Sequence, residues 1–297
     1  MESQIEKGKK MIELEKADLI GQFENNSAEW HNARQGSVGG SQVGTILGVN
    51  PWESTVTAFY KFTGQISDEI KPSMSMRLGT KLEAPILEIF AEEHPDYEML
   101  GTATYASKAN SRFHANPDQI IRLPDGRLGV VEIKFSRDYW TEVPKHYEMQ
   151  LRWYMGVLGI DYGVFAVLAG SSYLEFEIEH DQFQYEAMIA AVNRFLDHCD
   201  QRIQPEWDGS NSTYETVRAL NPNINPDDTE ELGDLGIYLS LAHGELELAE
   251  TKYRELQSRV LDAMGSAKWG AVNDEVILYR TQRGNGAPYL TWKKKGK

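Results

Sequence analysis

Apolar positions recur along the chain with two spacings, one helical and one of strands, and their order predicts the architecture. Residues 2–22 read as a helix, with Ile5, Ile12 and Leu19 seven apart on one stripe. Asn25 to Ser27 breaks it. Ser27 then caps a second helix through Trp30 and Arg34, with Glu29 in its first turn. Gly39 and Gly40 lead into a helix that opens at Ser41, runs through Ile46 and Leu47, and stops at Asn50-Pro51-Trp52. Glu53 to Phe62 and Met76 to Glu93 read as further helices. In the latter Leu78, Leu82, Ile86, Ile89 and Phe90 point inward, and Pro85 must kink or start it. Tyr97 to Ser107 reads as one strand, and Phe113 to Phe135 as a β-hairpin turning at Pro124, Asp125 and Gly126. Pro144 suits the first turn of a helix carrying Gln150, Trp153 and Tyr154. Residues 162–169 form a buried strand and 172–179 an alternating one, and Asp181 caps a helix reaching Arg202. Helices, hairpin, helix, hairpin and helix in that order give a mixed sheet flanked by helices, an α/β fold.

The chain changes character at Pro205. Residues 205–232 are rich in Pro, Asn and Asp, with one short helix capped by Ser212 and Glu215. Residues 234–264 form a long acidic amphipathic helix, and 268–292 a hairpin around Arg283-Gly284-Asn285-Gly286. The expected domains are therefore an N-terminal helix (1–26), a core (27–204) and a C-terminal arm (205–297).

The first hairpin carries chemistry. Asp118 and Glu132 are symmetric about Asp125, so they oppose each other across two antiparallel strands. Opposed Cβ atoms sit only about 4.5–5.5 Å apart, where like charges repel unless a cation intervenes. Lys134, two residues after Glu132, shares its face. Mg²⁺ takes one or two carboxylates and keeps positions open for phosphate and water. A structural ion pair on an exposed sheet face explains the same residues. Likewise, a helix start beside Arg34 with the free hydroxyl of Ser41 suits a phosphate, while a glycine-rich turn with a capping serine suits the same stretch.

Charge narrows the partners. The net charge of −15 argues against indiscriminate nucleic-acid binding, but residues 161–264 hold 21 acids against 6 bases and account for all of it. Residues 101–160 hold 8 Lys/Arg against 6 Asp/Glu, so a polyanion meets the middle of the chain. Cys199, the single cysteine, makes no internal disulfide and no cysteine-based metal site, which fits a reducing cytosol. No apolar run is long enough to span a membrane, and the N-terminal stretch lacks the apolar segment of a signal peptide.

Arg34 with Ser41, Glu83 after Gly79, Pro117-Asp118 … Glu132-Ile133-Lys134, and Gln150 with Tyr154 follow one another across residues 30–160. This ordered set resembles the lambda-exonuclease/YqaJ-type viral recombinase family, a branch of the PD-(D/E)XK nucleases, over roughly residues 27–200. The resemblance implies a restriction-endonuclease-like core and a phage-type alkaline exonuclease of DNA recombination. Such an enzyme digests double-stranded DNA from 5′ ends with Mg²⁺, Mn²⁺ substituting, and leaves 3′ single strands for a single-strand annealing protein. It implies that Asp118, Glu132 and the Ile133 carbonyl ligate the metal, with Glu83 completing the site. Lys134 would activate the attacking water, and Gln150 would position it or the substrate. Arg34 and Ser41 would hold the 5′ phosphate, with Tyr154 and Asn116 in the DNA site. Asn116 departs from the pattern, since the lambda enzyme has a phosphate-binding serine there; this puts strict phosphate dependence in question. A homotrimeric ring and the cytoplasm of a bacterial host also follow from the resemblance.

Two other classes fit parts of the pattern. One is a PD-(D/E)XK nuclease of other substrate or polarity, although one cysteine excludes the iron–sulfur members. The other is a non-catalytic DNA-end-binding module, which metal-dependent nucleotide release separates from an enzyme.

Overall fold

A computed structural model describes residues 12–23, 27–68 and 72–293. The chain divides into two compact units, 1–223 and 224–297. In the first unit β1 (Ala17–Gly21) is followed by four helices: α1 (Ala28–Arg34), α2 (Gly40–Ile46), α3 (Thr55–Phe62) and α4 (Met74–Glu93). Five strands come next: β2 (Glu98–Gly101), β3 (Thr104–Ser107), β4 (His114–Ala115), β5 (Gln119–Arg122) and β6 (Leu128–Ser136). Helix α5 (Lys145–Leu158) leads to β7 (Tyr162–Ala169), β8 (Ser172–Glu179), α6 (Gln182–Gln201) and α7 (Asn211–Leu220).

The main sheet has the order β2-β5-β6-β7-β8. All pairs are antiparallel except β6–β7, which is parallel and is joined through α5 as parallel neighbours require. The β5–β6 turn closes through the Gly126 N–H donating to the Leu123 carbonyl, with Gly126 at φ 89°. Side chains along β6 alternate. Val131 and Ile133 pack with Ile86 and Phe90 of α4, whereas Val130 packs with the cluster that holds Leu151, Trp153 and Met155 of α5. Helices therefore cover both faces, and Glu132 and Lys134 lie on the side of Val130, towards α5. The result is a mixed α/β fold with a central mixed sheet, as the periodicity predicts.

Several elements differ from expectation. The predicted N-terminal helix gives way to a strand at Ala17–Gly21, which pairs antiparallel with β3; its residues 2–11 lie outside the described residues. Three apolar residues seven apart are a thin helical signal, and the local alternation of buried Ala17 with exposed Asp18 and Ile20 has the strand period. The single strand expected over 97–107 splits at Gly101, which has φ 90°. Its halves enter different sheets, β2 in the main one and β3 in a small β1-β3-β4 sheet. Helix α4 starts at Met74 and runs through Pro85. The cap of α7 is Ser210, whose side chain accepts from the Thr213 N–H at 3.1 Å. Ser212 instead bonds Thr57 of α3 at 2.7 Å, and Thr213 and Thr216 reach Ser54 and Thr57 at 2.8 Å each, so α7 packs with the first unit.

The second unit holds α8 (Asp234–Met264), at the bounds expected, and β9 (Trp269–Val272), β10 (Glu275–Thr281) and β11 (Tyr289–Trp292). These strands form a three-stranded meander where a single hairpin is expected. The additional turn is Asn273-Asp274, both at positive φ, a conformation these two residues tolerate. Residues 294–297 of the basic tail lie outside the described residues. Among the described residues no helix is long and apolar enough to cross a membrane.

Candidate active site

The β5–β6 ladder pairs Gln119 with Val131, and one step further along that register Asp118 falls opposite Glu132. Asp118 is fixed there by its Oδ2, which accepts from the Ile133 N–H at 2.7 Å. The preceding residue is also held, since the Thr102 hydroxyl donates to the Pro117 carbonyl. Glu132 is buried, its side chain 2% exposed. Its Oε1 accepts from Lys134 Nζ at 2.7 Å and from Gln150 Nε2 at 2.5 Å. Its Oε2 is buried and has no partner among the described residues. The exposed ion pair considered from sequence is thus replaced by a buried acid covered by α5.

Helix α5 supplies the cover. Gln150 and Tyr154 are one turn apart, and Gln150 Nε2 also lies 3.3 Å from the Tyr154 hydroxyl. Gln150 Oε1 is 3.4 Å from Lys134 Nζ, and that ammonium sits 4.7 Å from the centre of the Tyr147 ring. Lys134 is therefore gripped by an acid, an amide and an aromatic face. Tyr147 is the residue the sequence reading missed; it lies three before Gln150, a spacing that puts both on one side of the helix.

These groups share one field. Burial, then repulsion from Asp118, pushes Glu132 up to about 8. Glu83 on α4 is pushed up to about 7 by burial and then by Asp118, which places it in the same electrostatic cluster. Asp118 is raised as well, by burial. Burial opposes the charge of Lys134, but Glu132 and Asp118 outweigh it and hold the ammonium above its ordinary value. Three acids sharing one cation leave the site short of positive charge.

The two glycines before Ser41 let α2 come close. A Cβ on Gly40 would lie 2.6 Å from Tyr154 Cε1 and 2.9 Å from the Gln150 carbonyl oxygen, and one on Gly39 would meet the Arg34 guanidinium. The close approach is thus made by protein groups, Gly39 to Arg34 and Gly40 to the Gln150–Tyr154 turn of α5. Burial lowers the Arg34 pKa, while Tyr154 acts against that shift. One amide at this helix start is taken, because the Gly39 N–H donates to Gln42 Oε1 at 2.7 Å. Ser41 is exposed on the first turn and is hydrogen-bonded to none of these groups among the described residues. Asn116 Nδ2 donates to Thr104 Oγ1, and its Oδ1 is buried without a partner among the described residues. The structure therefore brings together Asp118, Glu132, Lys134, Gln150 and Tyr154, with Glu83 and Arg34 coupled to them; Ser41 and Asn116 stand at the margin.

A divalent cation can be weighed against these donors. Among the described residues no three acid, imidazole or thiol groups gather closely enough to hold a metal alone. Two opposed carboxylates, one with a buried oxygen left over, nevertheless match what Mg²⁺ asks of a protein, since it keeps several waters.

Residues 29–161 match the family described as the YqaJ-like viral recombinase domain. A YqaJ protein of uncharacterized function from Bacillus subtilis (strain 168) is 26% identical over 261 residues, which cover 83% of this chain and 81% of that protein. Among solved structures, the fold is similar to an alkaline exonuclease, LHK-Exo, from Laribacter hongkongensis. The TM-score is 0.50 at 18% identity, covering 66% of this chain and 100% of that one. The complex of LHK-Exo with dAMP gives 0.51 at 19% identity, with the same coverage.

Proposed function

We propose that this chain, which carries a YqaJ-like viral recombinase domain, is a divalent-metal-dependent exonuclease that degrades double-stranded DNA from 5′ ends. The observation that carries the reading is Glu132, a buried acid with one oxygen fixed by Lys134 and Gln150 and the other without a partner among the described residues. Buried carboxylate oxygens are ordinarily satisfied, and one left over opposite Asp118 suits a cation. The restriction-endonuclease-like core belongs to the same reading.

In this account Asp118, Glu132 and the Ile133 carbonyl would hold Mg²⁺, or Mn²⁺ in its place, and Glu83 would complete the site directly or through water. Bound there, the ion would lower the pKa of a water and neutralise charge building on the phosphate. Lys134, whose ammonium Glu132 and Asp118 favour, would activate the attacking water by orienting it and would offset charge. Gln150 holds Glu132 and Lys134 in register. Arg34 would bind the terminal phosphate, with Ser41, Asn116 and Tyr154 contributing to the DNA site; a monoester end carries more charge than an internal diester. Digestion would leave 3′ single strands for an annealing protein in recombination. A ring of three subunits around the duplex would suit such an enzyme. The dAMP bound by the structurally similar exonuclease is a DNA mononucleotide, the product class expected here.

The test is a linear duplex labelled at either the 5′ or the 3′ terminus, incubated with Mg²⁺. Early release of mononucleotides from the 5′ label, with closed circular duplex left intact, is the expected result. Release from the 3′ label first would replace the polarity. Tight binding to ends without release in Mg²⁺ or Mn²⁺ would leave a DNA-end-binding module.

A further inference from the structure

Helix α8 has 31 residues and no buried side chain. Its apolar residues are widely exposed: Leu235 is 69% exposed, Leu239 68%, Leu246 56% and Leu256 45%. Soluble proteins seldom leave so much apolar surface to water. Ile237, Tyr238, Leu241 and Leu248 are exposed on other faces of the helix, and the remaining apolar residues follow a rule. From Leu235 to Ala263 small or apolar side chains alternate at steps of four and three, the spacing of a coiled-coil seam sustained over four heptads. Leu239, Leu246, Tyr253 and Val260 form one set, and Leu235, Ala242, Ala249 and Leu256 the other.

We propose that α8 pairs with α8 of a second copy of this chain as an antiparallel coiled coil, with the twofold axis between Glu247 and Leu248. The alternation of sizes selects this direction. In antiparallel register Leu246 meets the second copy's Ala249, Tyr253 its Ala242, Leu239 its Leu256 and Val260 its Leu235. Large residues are set against small ones or medium against medium, so the layers have similar widths. A parallel pair would stack Tyr253 on Tyr253 and Ala242 on Ala242. Charge selects the same direction. Antiparallel pairing sets Glu245 against the second copy's Lys252 and Glu250 against its His243, on both sides of the axis. A parallel pair would set Glu245 against Glu250. Within one copy Lys252 and Arg259 each bridge Glu255, at 3.0 and 2.6 Å, but such exposed bridges are weak and free to exchange. The small sheet leaves most of the seam open: the Trp292 indole donates to the Tyr253 hydroxyl at 2.9 Å, yet Tyr253 stays 46% exposed and Val260 half-buried. At about 1.5 Å per residue the helix runs about 46 Å, ample for a stable pair.

The proposal is independent of the reaction and is tested on the full chain by sedimentation equilibrium. Leu246→Asp is expected to halve the mass of the assembly, whatever assembly the first unit makes, with the far-ultraviolet circular dichroism of the folded chain retained. Glu245→Lys is expected to weaken the assembly, and Glu245→Lys with Lys252→Glu to restore it. A mixture of Glu245→Cys and Lys252→Cys chains is expected to cross-link between unlike chains several-fold faster than either does alone; Cys199 is buried and does not compete. An unchanged mass for Leu246→Asp would overturn the pairing. Failure of the charge exchange to restore assembly, or cross-linking of like chains only, would overturn its direction.

Discussion

Glu132 is the residue whose state decides the chemistry. With its pKa raised to about 8 from an ordinary 4.5, its neutral form favours the fold. The sign follows from linkage: its contribution to stability is full below pH 4.5 and is lost as pH rises through about 8. Glu83, raised to about 7, acts in the same direction. In a metal chelator, the melting temperature of the wild type is therefore expected to fall as pH climbs from about 5 to 8, and that of Glu132→Gln to fall less. Added Mg²⁺ is expected to raise the wild-type melting temperature more at pH 8 than at pH 5, because it binds the ionised acids; equal shifts at both would separate the acid cluster from metal binding. These residues were legible in the sequence for a physical reason. The hairpin turn fixes the register, and register alone sets Asp118 against Glu132. Tyr147 and the grip of Gln150 on Glu132 were not legible, because they depend on how α5 lies across β6.

Helix α2 shows how packing of elements places a site. Gly40 faces Tyr154 and the Gln150 backbone so closely that a methyl group forces one helix to move. Gly40→Ala is expected to destabilise the protein by about 1–3 kcal/mol in denaturant unfolding and to lower nuclease activity beyond what stability explains. Wild-type activity and stability would show that α2 does not set the position of Gln150. The long, strongly periodic elements α4, α5 and α6 were readable because burial follows their period, and α8 because its apolar residues recur although none is buried. The N-terminal strand was not, because its partner β3 lies more than eighty residues away in sequence. Nor was the break at Gly101, where a left-handed residue sends one apolar run into two sheets. The cap at Ser210 was misread as Ser212 because both fit a capping pattern, and only the α3 contact uses the second hydroxyl.

Over the whole molecule, the acid cluster and its covering helix lie within the first compact unit, residues 1–223, and the long helix and meander make up the second. The chain truncated after Asn223 is expected to unfold cooperatively and to keep nucleotide release on linear duplex, while losing the pairing ascribed to α8. Truncation that abolishes release from a folded protein would give the second unit a part in the reaction. The measurement that bears hardest on the account is nucleotide release from linear duplex in Mg²⁺ by the wild type and by Lys134→Ala. The account predicts metal-dependent release by the wild type and a loss of at least about 10²-fold in the variant, with DNA-end binding retained. Equal release by both proteins, or none by the wild type in any divalent metal, would contradict it.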